Sequence, residues 1–189
     1  MMKEIPNISE AMAIMPFTAE YGEQYSIIVQ DDELIKVPLT NLKVLDHQLR
    51  YIGSSMKGAK EAAKLILGST SMYPIVAKLH PKIEIWFPTE SIRHTTTCVF
   101  LSLNRIRDIK PYSKTSSIVY GYGANDIVVP VPDTKLKKRY FEAQKYFSVI
   151  FLNQQPKTYL KAAQRKLIIL KCAENRASYE VKWNNPKDH

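Results

Sequence analysis

The chain has 189 residues, 45% hydrophobic and 24% charged; this is an ordinary balance for a globular protein and excludes disorder along the whole length. It carries 27 Lys and Arg against 18 Asp and Glu, a net charge of +9 and a pI near 9.4. A surplus of that size attracts polyanions, with nucleic acid the first candidate and an anionic membrane surface or an acidic protein the second.

The start, "MMKEIPNISEAMAIMPF", has an early lysine but no apolar run long enough for a secretory signal. "AMAIMPF" (11–17), "QYSIIVQ" (24–30) and "ELIKVP" (33–38) read as short strands, the last two joined as a hairpin at Asp31-Asp32. The period then changes. In "LTNLKVLDHQLRYIG", Leu42, Leu45, Leu49 and Ile52 recur at helical spacing. Thr40 or Asn41 can cap the start, and Gly53 sits where a helix stops. Lys43, His47 and Arg50 share the opposite face. A second helix, "SMKGAKEAAKLILG" (55–68), has Ser55 as its cap, Gly68 as its end, and Lys57, Lys60 and Lys64 along one side. Gly58 weakens its first turn by about 1 kcal/mol relative to alanine.

"YPIVAKL" (73–79) is a strand, and "KIEIWFP" (82–88) alternates Ile83, Ile85 and Phe87 with Lys82, Glu84 and Trp86. "TTCVFLSLNRIRDI" (96–109) begins as a strand whose apolar phase slips at Asn104-Arg105-Ile106, as a β-bulge would cause. "SSIVYGYGANDIVVPV" (116–131) reads as two strands around a Gly-Ala-Asn-Asp turn. A helix over 134–152 follows, capped by Asp133 or Thr134, with Leu136, Tyr140, Ala143, Phe147 and Ile150 on its apolar side. Pro156 breaks it. A last helix is expected over 157–174 and a loose polar tail after it. Strands and helices come in separate runs, which predicts an α+β fold around an antiparallel sheet, with a helical pair in the N-terminal third and helices at the C-terminus. Two parts are expected: an α+β domain over 1–152, and a C-terminal helix and tail over 153–189 that is a candidate oligomerisation element.

Nothing in the chain resembles a catalytic motif: there is no GxSxG, HExxH, P-loop or GxGxxG. His94 and Cys98 lie four apart, but two ligands do not close a zinc site. No catalytic residue, metal ligand or cofactor is assigned. Cys98 and Cys172 stand in apolar company and read as free thiols in a reducing, cytoplasmic setting. No stretch reaches transmembrane length, so no membrane partner is expected.

The most informative stretch is "RYIGSSMKGAK" (50–60), where cations, small hydroxyls and glycine meet at one corner between two helices. Gly53 lets the backbone approach a bulky partner. Ser54 and Ser55 can donate to phosphate oxygens, and Arg50, Lys57, Lys60 and Lys64 add charge attraction. A helix start stabilises an anion. The same residues also suit a plain C-cap followed by an N-cap with solvated lysines, and residue type alone leaves the two readings level. Lys135, Lys138 and Arg139 offer a second basic surface, to be weighed against an ordinary solvated helix face.

"VLDHQLRYIGSSMKGAKEA", "YPIVAK" and "IEIWFPTESIR" resemble the ComK family of competence transcription factors from Gram-positive bacteria. The residues carrying the likeness are Arg50, Tyr51, Gly53, Ser54, Ser55 and Gly58, then Pro74, Ile75 and Val76, then Phe87, Pro88, Thr89 and Ser91. Departures include Leu49, Ile52, Met56 and Tyr73, where members often carry Cys, an aromatic, Tyr and Pro. The resemblance implies a cytoplasmic activator of DNA-uptake genes. It implies binding of double-stranded DNA in the minor groove of A/T-rich boxes, DNA bending, assembly into dimers and tetramers, and turnover through a Clp-protease adaptor. Arg50 and Arg93 are the candidates for groove entry, since arginine sheds its hydration more readily than lysine. Gly53, Ser54, Ser55, Lys57, Lys60 and Lys64 would then line the sugar–phosphate backbone. The alternative is a relative of the same fold that binds or sequesters a protein and not DNA.

Overall fold

The computed structural model describes residues 6–154, apart from 32, 69, 71, 93–95 and 124, and the backbone of two further strands, Ile168–Cys172 and Tyr179–Trp183. The chain divides into two units, Met1–Gln154 and Gln155–His189.

Strands β1 (Ala11–Thr18), β2 (Gln24–Gln30) and β3 (Glu33–Val37) form an antiparallel meander. Helices α1 (Asn41–Tyr51) and α2 (Met56–Leu67) follow. Strands β4 (Ile75–Lys78), β5 (Glu84–Pro88) and β6 (Phe100–Ser102) then complete a six-stranded antiparallel sheet of order β3-β2-β1-β6-β5-β4. The return to β1 through β6 is what closes this sheet around residues far apart in sequence.

Both faces of that sheet are covered, and its side chains alternate between two cores. Ile14, Ile28, Ile75, Trp86 and Phe100 pack with Val44, Leu45 and Leu49 of α1 and Ala59 of α2. Ala13, Val29, Ile85, Phe87 and Leu101 point the other way. There they meet a second sheet, β7 (Ile106–Pro111), β8 (Ser117–Gly121) and β9 (Asp126–Val129), and the long helix α3 (Asp133–Gln154). Phe87 and Tyr140 of α3 meet edge to face at 6.1 Å. Each buried Leu, Ile or Phe here stabilises the fold by roughly 1.5–3 kcal/mol relative to exposure. The expected polar face of β5 is thereby buried as well: Trp86 lies under the α1 layer, and Glu84 pairs with Lys78 at 3.4 Å.

The α+β architecture, the antiparallel pairing and the helical pair are as the sequence predicts. Four local expectations are corrected. The phase slip at 104–106 is not a bulge within one strand. A single 3-10 turn, Leu103–Arg105, carries the chain out of the first sheet and into the second. Asn104 stabilises that crossing: its side-chain amide donates to the Ile83 carbonyl at 2.9 Å, and its oxygen accepts the Ile85 N–H at 3.2 Å. Asp133 and Thr134 are the first two residues of α3 and neither is its cap, since the Pro132 carbonyl accepts the Leu136 N–H; the Asp133 carboxylate pairs with Lys137 one turn on. Ile52, expected on the buried stripe of α1, falls beyond the helix and is 42% exposed.

The fourth correction is the last helix. Residues 168–172, "IILKC", form a strand (β10) paired antiparallel with 179–183, "YEVKW" (β11), in the expected loose tail. Ile168 and Ile169 are β-branched, and the partner strand carries Tyr179, Val181 and Trp183, paired with Cys172, Leu170 and Ile168; these residue types favour a pleated ladder. A short apolar run cannot be assigned to helix or strand by period alone. The remainder of the expected helix, 157–167 and 173–174, lies outside the described residues.

Candidate nucleic-acid interface

The corner between α1 and α2 is fixed by hydrogen bonds that begin well away from it. Thr40 caps α1, its hydroxyl accepting the Lys43 N–H at 3.4 Å. The buried Asn41 amide donates to the Cys98 carbonyl at 2.5 Å and ties the helix start to the sheet. Val44, Leu45 and Leu49 are fully buried beneath the helix, which leaves Lys43 and Arg50 on the solvent side.

Helix α1 ends in a Schellman motif. The Gly53 N–H donates to the Arg50 carbonyl at 3.0 Å, and the Ser54 N–H reaches back to the Leu49 carbonyl at 2.8 Å. Gly53 adopts φ +75°, and an added Cβ would meet nothing within 4 Å. Its conformation, not crowding, is what requires glycine there. The motif aims Arg50, Tyr51 and Ile52 outward together, and all three are exposed.

Helix α2 begins with two of its free amides already occupied. The Ser55 hydroxyl accepts the Gly58 N–H at 3.1 Å. Asp46, ten residues upstream, accepts the Met56 N–H at 3.2 Å through Oδ1, while its Oδ2 holds Arg50 Nε at 2.7 Å. The Met56 N–H and then the Arg50 guanidinium hold the Asp46 carboxyl below its usual range. Asp46 therefore does for α2 what an external anion does at an open helix start. A phosphate at this corner would be held mainly by side chains, and the Ser55 hydroxyl can still donate while it accepts.

The sequence-predicted residues are distributed as follows. Arg50, Gly53, Lys57 and Lys64 are exposed, and Ser54, Ser55 and Lys60 are half-buried. Only the alanines of the α2 inner face, Ala59 and Ala63, are buried within this segment. Lys57, Lys60 and Lys64 advance along α2 by about 10 Å in total at 1.5 Å per residue. That length covers about three nucleotide steps of one strand at 3.4 Å each. The fold thus brings Arg50, Gly53, Ser54, Ser55, Lys57, Lys60 and Lys64 onto one outward corner. Arg93 lies outside the described residues, as does His94 of the His94–Cys98 pair.

The second basic surface is not uniform. Lys135 and Lys138 of α3 are exposed, but Arg139 is half-buried, with a buried Nη1 that has no partner among the described residues. Burial lowers its pKa. The Cys98 thiol close to it is buried and donates to the Glu90 carbonyl at 3.3 Å; desolvation pushes its pKa up to about 11. Among the described residues no group of three His, Cys, Asp or Glu side chains could hold a metal, and no helix is long and apolar enough to cross a membrane.

Sequence reasoning missed two features of the corner. The Asp46–Arg50 pair carries the i,i+4 acid-to-base signal of a helix and was legible in "DHQLR". The outward turn of Tyr51 and Ile52 depends on where the helix ends, and follows from Gly53 only once its positive φ is known.

No curated protein and no solved structure matches the chain. The family model described as ComK protein matches residues 7–182, a span that takes in strands β1 to β9, helices α1, α2 and α3, and most of the β10–β11 hairpin. The chain belongs to the ComK family, a family of competence transcription factors.

Proposed function

We propose that this protein regulates transcription by binding A/T-rich duplex DNA through the α1–α2 corner. Arg50 enters the minor groove, while Ser54, Ser55, Lys57, Lys60 and Lys64 follow the adjoining phosphates. The observation that carries the reading is the corner itself: a hydrogen-bonded turn with three exposed cations, Arg50, Lys57 and Lys64, the half-buried Lys60 and an exposed glycine, in a chain of net charge +9. Family membership supports the same reading. A narrow A/T minor groove concentrates negative potential and selects arginine, and readout there distinguishes A·T from G·C pairs but little more. Assembly of two or more copies on paired boxes, and removal through a Clp-type adaptor, belong to the same proposal and rest on the family likeness.

The test is an electrophoretic shift with an A/T-box duplex and a G·C-rich duplex of equal length, with distamycin as minor-groove competitor. Retardation of the A/T duplex that distamycin reverses is expected. Equal affinity for both duplexes, or binding unmoved by saturating drug, would refute the groove assignment.

A further inference from the structure

The corner presents two large apolar side chains that stay exposed. Tyr51 is 83% exposed and Ile52 is 42% exposed. Single exposed apolar residues are common on protein surfaces. These two differ because they are adjacent and sit at the apex of a turn. They also lie on backbone pinned from both sides, by the two Schellman hydrogen bonds and by the Asp46 bond to Met56. Arg50 precedes them, 74% exposed at its side chain, and Lys57 follows, also exposed. A rigid apolar tip between cations is complementary to one kind of surface in particular: a polyanionic groove with an apolar floor of stacked bases.

We infer that Tyr51 and Ile52 form a wedge that inserts between neighbouring base pairs and kinks the duplex. The inference rests on the DNA-binding reading and adds to it the residues that do mechanical work on the DNA. Apolar side chains inserted from the minor groove partly unstack a base step and bend the helix by about 20–90°. The cations hold the phosphates on either side while the step opens. Pyrimidine–purine steps unstack most easily, so the wedge favours a TA step at the centre of the contacted box. The corner is suited to this because the Schellman motif fixes the last turn of α1 in place, so the tip does not yield when it meets the stack.

The experiment uses the full chain and an A/T-box duplex with 2-aminopurine placed in turn at each central position, together with a circular-permutation gel to measure bending. Saturating wild-type protein is expected to raise the fluorescence at one step and to bend the duplex. Tyr51→Ala/Ile52→Ala, checked for folding by circular dichroism and driven to saturation, is expected to lose both the fluorescence rise and the bend. A wild-type complex with no fluorescence rise at any position overturns the wedge while leaving DNA binding intact, and this arm needs no variant. A double variant that bends and unstacks like wild type overturns it too. So does a variant that keeps both DNA effects but loses self-association in sedimentation, which would assign the pair to a protein contact. If wild-type protein binds no duplex at all, the DNA-binding reading fails first, and the wedge with it.

Discussion

Replacing Asp46 with alanine removes two contacts that hold the corner together. The first is the hydrogen bond from the Met56 N–H at the start of α2, and the second is the ion pair with Arg50. Loss of a side-chain acceptor at a helix start costs about 1 kcal/mol. The Arg50 pair is largely exposed, so screening limits it to ~0.3–0.5 kcal/mol. The sum, about 1.5 kcal/mol, lowers the melting temperature of a unit this size by about 3–6 °C. The pH dependence follows from the direction of the Asp46 shift. Its folded carboxyl is held below its usual value, so its contribution is complete above the unfolded carboxylate pKa of about 3.9 and disappears as pH falls through the lower folded value. Calorimetry of wild type and Asp46→Ala from pH 7 downwards should show a constant gap that closes only below about pH 4. Equal melting temperatures at pH 7 would mean that Asp46 does not clamp α2, and the account of the corner as a rigid element would fail.

The two glycines of the corner should behave oppositely. Gly53→Ala forces a left-handed conformation on an L-residue and should destabilise by ~1–2 kcal/mol, with no steric clash to add to it. At Gly58 an added Cβ meets only ordinary contacts, 3.5 Å from the Ser55 hydroxyl and 3.8 Å from that of Ser54. Gly58→Ala should therefore stabilise by ~0.5–1 kcal/mol through helix propensity; urea unfolding of both variants checks the pair. In a Cys172→Ser background, Cys98 should resist a disulfide-exchange reagent at pH 8, because it is buried and its pKa near 11 leaves few thiolates. Rapid labelling without denaturant would contradict its placement in the core.

The parts of the fold legible in the sequence are those set by local chemistry. Thr40, Ser55, Gly53 and Gly68 each act within a turn of their own position, so both helices and the corner between them were expected within a residue or two. Elements decided by distant partners were not. The switch of sheets at Leu103–Arg105 depends on β1 and β5 on one side and β8 on the other, and in the sequence it resembles a bulge. Trp86 and Glu84 look like a surface face until Trp86 packs with the α1 side chains and Glu84 pairs with Lys78. Arg139 looks like its lysine neighbours, yet it turns into the fold while Lys135 and Lys138 remain in solvent. At the corner, residue types gave the cations and the glycine. They did not give Asp46 as the occupant of the α2 start, because that bond spans ten residues and two helices.

The most direct test of the account is the salt dependence of binding to an A/T-box duplex, measured by fluorescence anisotropy for wild type and for Lys57→Ala/Lys64→Ala. With about five to eight phosphates neutralised per bound unit, log affinity should fall against log salt with a slope near −5 to −7. The double variant should be shallower by about 2, one unit for each lost phosphate contact. A wild-type slope near zero, or a double variant with an unchanged slope, would contradict the assignment of the α1–α2 corner as the surface that holds DNA.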